Sequence, residues 1–202
     1  VNLQVFKLAD DPVLGNATLS STAMTPEDFV YLCPGLPSGT ESNFLRLMKD
    51  AYETLRLKNL PLTFPLIRNA VMEKAEQDNL VFTQQRKSIG NALYAPEMDI
   101  FDQKGKTEIT IEKIRKPGTI TVLDAENSSQ ASRRIEQMYL AQILHSFKQN
   151  SINRYPSIIL GLDEAEKIFP KATQRDKVYT DRIADRIQYI VEFGRKRNFG
   201  VW

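Results

Sequence analysis

The feature that most restricts the fold is a nearly all-apolar run that ends in two adjacent carboxylates. Ser157 to Leu162 contains a single polar side chain, and Asp163 and Glu164 follow it directly. A strand that is apolar throughout, rather than at alternate positions, is typical of a strand covered on both faces. Such strands occur in parallel sheets flanked by helices, so the run predicts an α/β fold.

The rest of the second half alternates between predicted strands and helices. Thr119 to Leu123 predicts a strand and Asn127 to Asn150 a long helix. Helices are also predicted from Asp163 to Phe169 and from Asp176 to Arg195, and Phe199 begins a last strand. This β-α-β-α-β order predicts a parallel sheet with helices on its faces.

A strand with one exposed face is predicted just before this region. Lys106 to Ile114 alternates between apolar and polar residues, which is typical of an exposed or edge strand. Lys116-Pro117-Gly118 then predicts a turn.

The first half predicts two short strands followed by helices. Asn2 to Leu8 predicts the first strand, and Leu14 to Leu19 a possible second. Thr25-Pro26-Glu27-Asp28 is typical of a helix start, with a capping Thr, a Pro and acids near the positive helix end. The next predicted helices run from Ser38 to Leu57, from about Thr63 to Gln77 and from roughly Asp78 to Leu93.

These patterns predict one sheet domain with an insertion, in a chain of 202 residues. Residues 1–24 would start the core, residues 25–95 would form an inserted small helical bundle, and residues 96–202 would complete the core. Val1 is not Met, and Trp202 ends the chain just after a predicted strand begins. We therefore expect a fragment of a longer protein.

Composition excludes several classes of site. The net charge of +2 argues against a surface that is basic throughout, although a local basic patch is compatible with it. Cys33 is the single cysteine and predicts a buried structural thiol, and His145 is the single histidine and receives no catalytic role. No apolar run is long enough to span a bilayer. We expect a soluble cytoplasmic protein without membrane contact.

The carboxylates Asp163 and Glu164 form the candidate site. Ligands of open α/β sheets bind beyond the carboxyl ends of the strands. There, one carboxylate can hold Mg²⁺ and the next can orient or deprotonate an attacking water, which phosphoryl transfer requires. The alternative is that the two acids merely begin a helix, a position that acids favour.

Three ordered motifs resemble a known family. The segment from Leu162 to Pro170 resembles the Walker B region of HerA/FtsK-type hexameric P-loop ATPases, although Glu166 stands where the family often has His. Ile190 to Val201 is similar to the family's Glu-x-Gly-Arg-Lys-x-x-Gly stretch, and Lys116 to Asp124 to its Pro-Gly-strand-Asp segment. The predicted helices after Thr25 resemble the helical insert of HerA-like DNA translocases. Conjugation-type ATPases share the same core.

The resemblance implies a RecA-like P-loop NTPase core, here incomplete. By resemblance, Asp163 would bind Mg²⁺, Glu164 would activate water, and Arg195 would approach the γ-phosphate in cis or from a neighbouring subunit, with Lys196 as the second candidate. A guanidinium there stabilises charge on the transferring phosphoryl group. The alternative for Arg195 and Lys196 is an ordinary basic helix C-terminus. The family further implies ATP, double-stranded DNA in the channel of a homo-hexamer, and a nuclease partner.

The phosphate-binding loop of such a motor is missing from this chain. Gly105-Lys106-Thr107 matches only the end of Gly-x-x-x-x-Gly-Lys-Ser/Thr, because Ile100 occupies the first glycine position. An alternating strand follows where a helix is required, so we interpret the segment as a hairpin or strand entry. We therefore expect this chain alone to bind no cofactor and to show no ATPase activity. The complete parent protein is expected to bind ATP and Mg²⁺ and to hydrolyse ATP.

Two other functions compete with the translocase or helicase motor. One is a non-catalytic interaction or regulatory subunit of a DNA-processing or conjugation complex that naturally lacks the loop. The other is an unrelated α/β enzyme that uses Asp163 and Glu164 as an acid/base pair. The latter requires another polar group at a neighbouring strand end, for which Asp124 after Leu123 is the candidate.

Overall fold

The structure is a computed structural model with mixed α/β architecture. It describes residues 2–9, 15–33, 36–37, 39–114, 116–127, 135–136, 139–140, 158–160, 188 and 199–201. The strands are β1 (Asn2–Ala9), β2 (Ala17–Leu19), β3 (Thr107–Ile109), β4 (Thr119–Asn127), β5 (Ile158–Leu160) and β6 (Phe199–Val201). The helices are α1 (Pro26–Leu32), α2 (Glu41–Leu57), α3 (Phe64–Gln77), α4 (Thr83–Leu93) and the single turn α5 (Ile111–Ile114).

The chain divides into two compact units. The first, named here the helical unit, contains Val5–Ile109 and Leu123–Ile135. The second, named the strand unit, contains Val1–Gln4, Thr110–Val122 and Glu136–Trp202.

The first helix begins where its sequence predicts. Thr25 precedes α1 and accepts a hydrogen bond from the Asp28 backbone N–H at 3.3 Å. The Asp28 carboxylate accepts in return from the backbone N–H and the hydroxyl of Thr25, both at 2.8 Å. This reciprocal capping box satisfies donors that a helix start leaves without partners. The predicted helix start is therefore confirmed.

The buried faces of α2 and α3 form the core of the helical unit. On α2 the buried side chains recur every three or four residues, which places them on one face: Phe44, Leu47, Met48, Ala51, Tyr52 and Leu55. On α3 the corresponding residues are Phe64, Ile67, Val71 and Ala75. The two helices pack against each other through these faces. Leu45 on α2 and Leu66 and Ala70 on α3 are half-buried beside these faces.

The strands β2 and β3 are parallel neighbours although α1 to α4 lie between them in sequence. Ala17 pairs with Thr107 and Leu19 with Ile109, and Leu19 also forms a parallel bridge with Phe101. A parallel pair requires a long crossover connection, which the helices provide here. The ring of Phe101 lies 5.5 Å from the rings of both Phe29 and Phe64. This aromatic cluster joins the start of α3 to the strands.

The prediction of a continuous strand from Lys106 to Ile114 is wrong in its second half. The strand β3 ends at Ile109, and Thr110 begins the helical turn α5. The Thr110 hydroxyl accepts from the Lys113 N–H at 3.4 Å, and its carbonyl accepts from the Ile114 N–H at 3.1 Å. Threonine favours such local capping bonds, which here override the alternating pattern.

Two further boundaries differ from prediction. The fourth helix begins at Thr83 instead of near Asp78, because the Asp78 carboxylate accepts the Leu80 N–H at 2.8 Å and forms a turn. The strand β4 continues through Asn127, where a long helix was predicted to begin. The described residues 135–136 and 139–140 of that predicted helix are helical.

In the strand unit, β5 and β6 are parallel neighbours. Ile158 pairs with Phe199, Ile159 with Gly200, and Leu160 with Val201. These are the strands predicted within Ser157 to Leu162 and from Phe199. The 38 residues 161–198 (198 − 161 + 1) connect them, which is ample for the crossover that parallel strands require.

No helix in the described part of the chain is both long enough and apolar enough to cross a membrane.

Candidate functional site

The predicted catalytic residues flank β5 and β6 in sequence. Asp163 and Glu164 come three and four positions after Leu160, the last residue of β5. Arg195 and Lys196 come four and three positions before Phe199, the first residue of β6. All four lie outside the described residues, so their assigned roles stay predictions. The parallel pairing of the two strands is the structural observation that bears on them.

A polar cluster missed by the sequence interpretation lies at the carboxyl ends of the strands in the helical unit. The Asp102 carboxylate follows the bridge residue Phe101 and accepts from the Ser21 hydroxyl at 2.5 Å and from the Ser21 N–H at 3.2 Å. It also accepts from the Phe64 N–H, in the first turn of α3, at 2.6 Å. A carboxylate at a helix N-terminus stabilises the positive end of the helix.

The backbone of Asp102 explains how one carboxylate reaches all three donors. Asp102 has a left-handed conformation with φ of 53°, which Asp tolerates better than most residues. Its own N–H donates to the Leu19 carbonyl at 2.9 Å. The side chain is thereby directed across the end of β2 toward α3.

The chemistry of this cluster favours a structural connection over catalysis. The Ser21 side chain is fully buried, and its hydroxyl lies 2.6 Å from the Leu62 carbonyl as well as near Asp102. A nucleophile needs access to a substrate, and a general base needs a free acceptor site. Here protein donors already occupy the carboxylate. The sign of this cluster in the sequence is an acidic residue, Asp102, directly after the apolar Phe101.

Asp124 does not occupy the strand end that an unrelated acid/base enzyme would require. The strand β4 continues past it to Asn127, so Asp124 lies inside a strand. Its carboxylate accepts the Glu126 N–H at 3.0 Å. The prediction of Asp124 as a strand-end residue is therefore wrong.

The Gly105-Lys106-Thr107 segment is a strand entry, as predicted. Gly105 has φ of 77° and forms the turn, and Thr107 is the first residue of β3. The Lys106 ammonium donates to the carbonyl of Gly15. A phosphate-binding loop is followed by a helix whose N–H groups face the phosphate, whereas a strand follows here.

Burial explains the state of two titratable side chains near α1 and α2. Cys33 is buried and free, as predicted, and burial raises the pKa of its thiol far above the ordinary value. Burial also raises the pKa of the Tyr52 phenol, and the negative charge of Asp28 adds to the effect. The phenol donates to the Met24 carbonyl at 3.2 Å. Both groups remain uncharged parts of the core at neutral pH.

Within the described ranges, no three His, Cys, Asp or Glu side chains are grouped as a metal site would need. No protein-family model, curated protein or solved structure shows a significant match to this chain.

Proposed function

We propose that the chain is part of an ATP-driven double-stranded-DNA translocase of the HerA/FtsK type, with a RecA-like core. The observation that supports this most is the parallel pairing of β5 with β6. In the sequence, Asp163 and Glu164 follow the first of these strands, and Gly194-Arg195-Lys196 precede the second. Open parallel sheets bind nucleotides beyond the carboxyl ends of their strands.

In this proposal the two carboxylates divide the chemistry of ATP hydrolysis. Asp163 provides an oxygen ligand of the type that Mg²⁺ prefers, directly or through water. Glu164 orients the attacking water and accepts its proton. When bound, Mg²⁺ supplies charge neutralisation at the phosphates. The donor chemistry of the Asp-Glu pair fits that ion.

Arg195 is the candidate for contact with the γ-phosphate, in cis or from a neighbouring subunit. Phe199 and Ile158 are paired at the amino-terminal edge of the β5–β6 pair, and Leu160 and Val201 at the carboxyl edge. Arg195 precedes Phe199, whereas Asp163 follows Leu160. In this proposal a guanidinium serves the γ-phosphate in cis or that of the adjacent protomer in a ring, and stabilises the transferring phosphoryl group. Lys196 is the second candidate for this role.

The test uses the complete reading frame from which this chain derives. We expect a Gly-x-x-x-x-Gly-Lys-Ser/Thr loop upstream of Val1 and DNA-stimulated ATP hydrolysis by the full-length protein. Glu164→Gln should lower kcat by about 100-fold or more, because it removes the base that positions water. Glu166→Gln is the matched control and should retain activity. The absence of the loop, or equal losses in both variants, would refute the motor proposal.

One observation favours a second candidate, a non-catalytic interaction or regulatory subunit. The segment in this chain that comes nearest to a phosphate loop, Gly105-Lys106-Thr107, leads into strand β3 and has Ile100 at the first glycine position. If the complete reading frame also lacks the loop, this candidate replaces the first. It predicts partner binding that is unchanged by added ATP, which calorimetry of the complex with and without the nucleotide measures.

A further inference from the structure

A rigid turn holds exposed apolar and cationic side chains at the end of α2. Asn59 has φ of 56°, its N–H donates to the Arg56 carbonyl at 3.0 Å, and the Leu60 N–H donates to the Leu55 carbonyl at 2.9 Å. These two bonds define the Schellman motif, the hydrogen-bonded helix ending with a left-handed residue. We name the exposed segment from Arg56 to Pro61 the α2 tip.

The α2 tip exposes apolar side chains that the core does not use. Leu57 is 80% exposed and Leu60 is 43% exposed, whereas the preceding Leu55 is 4% exposed. Single exposed leucines are common on protein surfaces. Here, however, two of them lie on one turn whose backbone is held by hydrogen bonds. A fixed surface loses less conformational entropy when a partner binds.

The α2 tip also carries positive charge without a neutralising partner in the described part of the chain. None of the salt bridges there includes Arg56 or Lys58. The guanidinium of Arg56 lies 5.9 Å from the centre of the Tyr52 ring, which orients it. The sequence has no acid from Thr54 to Met72, so local charge exceeds the chain average.

The turn before α4 provides a contrast. It exposes Leu80 by 71% and Phe82 by 72%, but two of the cations beside it have partners. Arg46 binds the Asp78 carboxylate, and Arg86 donates to the Asp78 carbonyl at 3.1 Å. Among the described residues, Arg46 and Arg86 at this turn therefore contact Asp78, whereas Arg56 and Lys58 at the α2 tip take part in no salt bridge.

We infer that the α2 tip docks an acidic segment of a partner protein, whose carboxylates flank apolar side chains. Carboxylates complement Arg56 and Lys58, and apolar side chains cover Leu57 and Leu60. A nucleic-acid backbone would pair with the cations but would leave both leucines in water. A membrane anchor needs a larger apolar face than two side chains. Binding at the α2 tip does not depend on the proposed ATPase function.

The binding probe is a fluorescein-labelled amphipathic helical peptide with leucines along one face and glutamates beside them. A second peptide has lysines in place of the glutamates. Fluorescence anisotropy with the 202-residue chain should give a Kd for the acidic peptide at least about 10-fold below that for the basic peptide. Added NaCl should weaken the binding, since exposed charges are screened.

Variants locate the binding surface. Leu57→Ser, and separately the double variant Arg56→Glu with Lys58→Glu, should each raise the Kd for the acidic peptide about 10-fold. Leu80→Ser is the matched control and should leave the Kd unchanged, because it removes a similarly exposed leucine from the other turn. Circular dichroism checks that each variant is folded. If Leu57→Ser does not fold, the double variant Arg56→Glu with Lys58→Glu still tests the binding surface.

Three outcomes would overturn the inference. The first is equal affinity for the acidic and basic peptides, and the second is an equal loss in Leu80→Ser. The third is binding to a 20-bp DNA duplex, or to phosphatidylcholine vesicles containing phosphatidylserine, that the Arg56 and Lys58 variants abolish while the acidic peptide does not bind. That result assigns the α2 tip to nucleic acid or lipid.

Discussion

At the scale of single residues, Asp102 connects the greatest number of separate elements among the side chains described above. Its carboxylate holds Ser21 and the start of α3, and its backbone N–H holds the end of β2. When a charged acceptor is removed, each buried donor that it bound is left without a hydrogen-bond partner. Asp102 should therefore contribute strongly to the stability of the fold, although no catalytic role is assigned to it.

Asp102→Ala should destabilise the chain by about 2 to 3 kcal/mol, because buried donors lose a charged acceptor. Urea unfolding followed by circular dichroism measures the change. Asp99→Ala is the control and should cost less than about 1 kcal/mol, since its side chain is 71% exposed and forms a surface ion pair with Arg68 at 3.4 Å. Asp102→Asn keeps a residue that tolerates the left-handed backbone and should fall between the two. Wild-type stability of Asp102→Ala would contradict the assignment.

Asp78 should contribute to acid unfolding. The Leu80 backbone N–H, followed by Arg46, holds the pKa of its carboxyl below the ordinary value of about 3.9. Because the folded pKa is depressed, the stabilising contribution is complete above about pH 5 and is lost as pH falls through the folded pKa. The free energy of unfolding of Asp78→Asn should therefore decrease less between about pH 5 and pH 2 than that of the wild type.

Urea titrations across that pH range test the prediction for Asp78. Arg46→Gln keeps the hydrogen bond from the Leu80 N–H to Asp78 but removes the interaction with the Arg46 guanidinium. This variant should therefore retain part of the wild-type pH dependence. If the free energy of unfolding of Asp78→Asn decreases with falling pH as much as that of the wild type, the Asp78 carboxylate does not contribute to acid unfolding in the way proposed.

At the scale of elements, helix starts differ in how far their own side chains cap them. Thr25 forms a capping box with Asp28 at the start of α1. Thr63 precedes α3 but makes no capping bond, and Asp102 binds the first turn from another part of the chain instead. The sequence signal for a helix start was therefore complete for α1 and incomplete for α3.

Thr25→Ala should lower the free energy of unfolding by about 1 kcal/mol, because α1 loses its side-chain cap. Thr63→Ala should cost distinctly less, since its hydroxyl does not cap α3. Thermal or urea unfolding of the pair measures the difference. Equal costs for the two substitutions would show that the capping box does not stabilise α1.

At the scale of the whole molecule, the missing phosphate loop sets the expected activity. Without its backbone N–H groups and lysine, ATP should bind very weakly. We expect the 202-residue chain to show no appreciable ATP hydrolysis in a phosphate-release assay, with or without DNA. Robust turnover that Glu164→Gln abolishes would contradict this expectation and would require another phosphate-binding element.

In the described part of the chain, the sequence by itself determined the helices α1 to α4 and the locations of the strands, but not the helical turn α5 or the far end of β4. Capping at Thr25, the three- and four-residue spacing on α2, and the apolar run at β5 are local patterns, and local backbone preferences express them directly. The boundaries near Thr110 and Asp78 differ from prediction because a local hydrogen bond between a side chain and the nearby backbone outweighs the broader pattern.

Only the tertiary structure decided which distant residues meet. Ser21 and Asp102 are separated by 81 positions, and Phe64 and Asp102 by 38. Parallel β2 and β3 likewise pair across the whole set of intervening helices. Such contacts depend on how helices pack and on where a crossover returns the chain, and no periodicity within one segment contains that information. The predicted roles of Asp163, Glu164, Arg195 and Lys196 rest on the same kind of long-range placement, so the kinetics of the complete protein must test them.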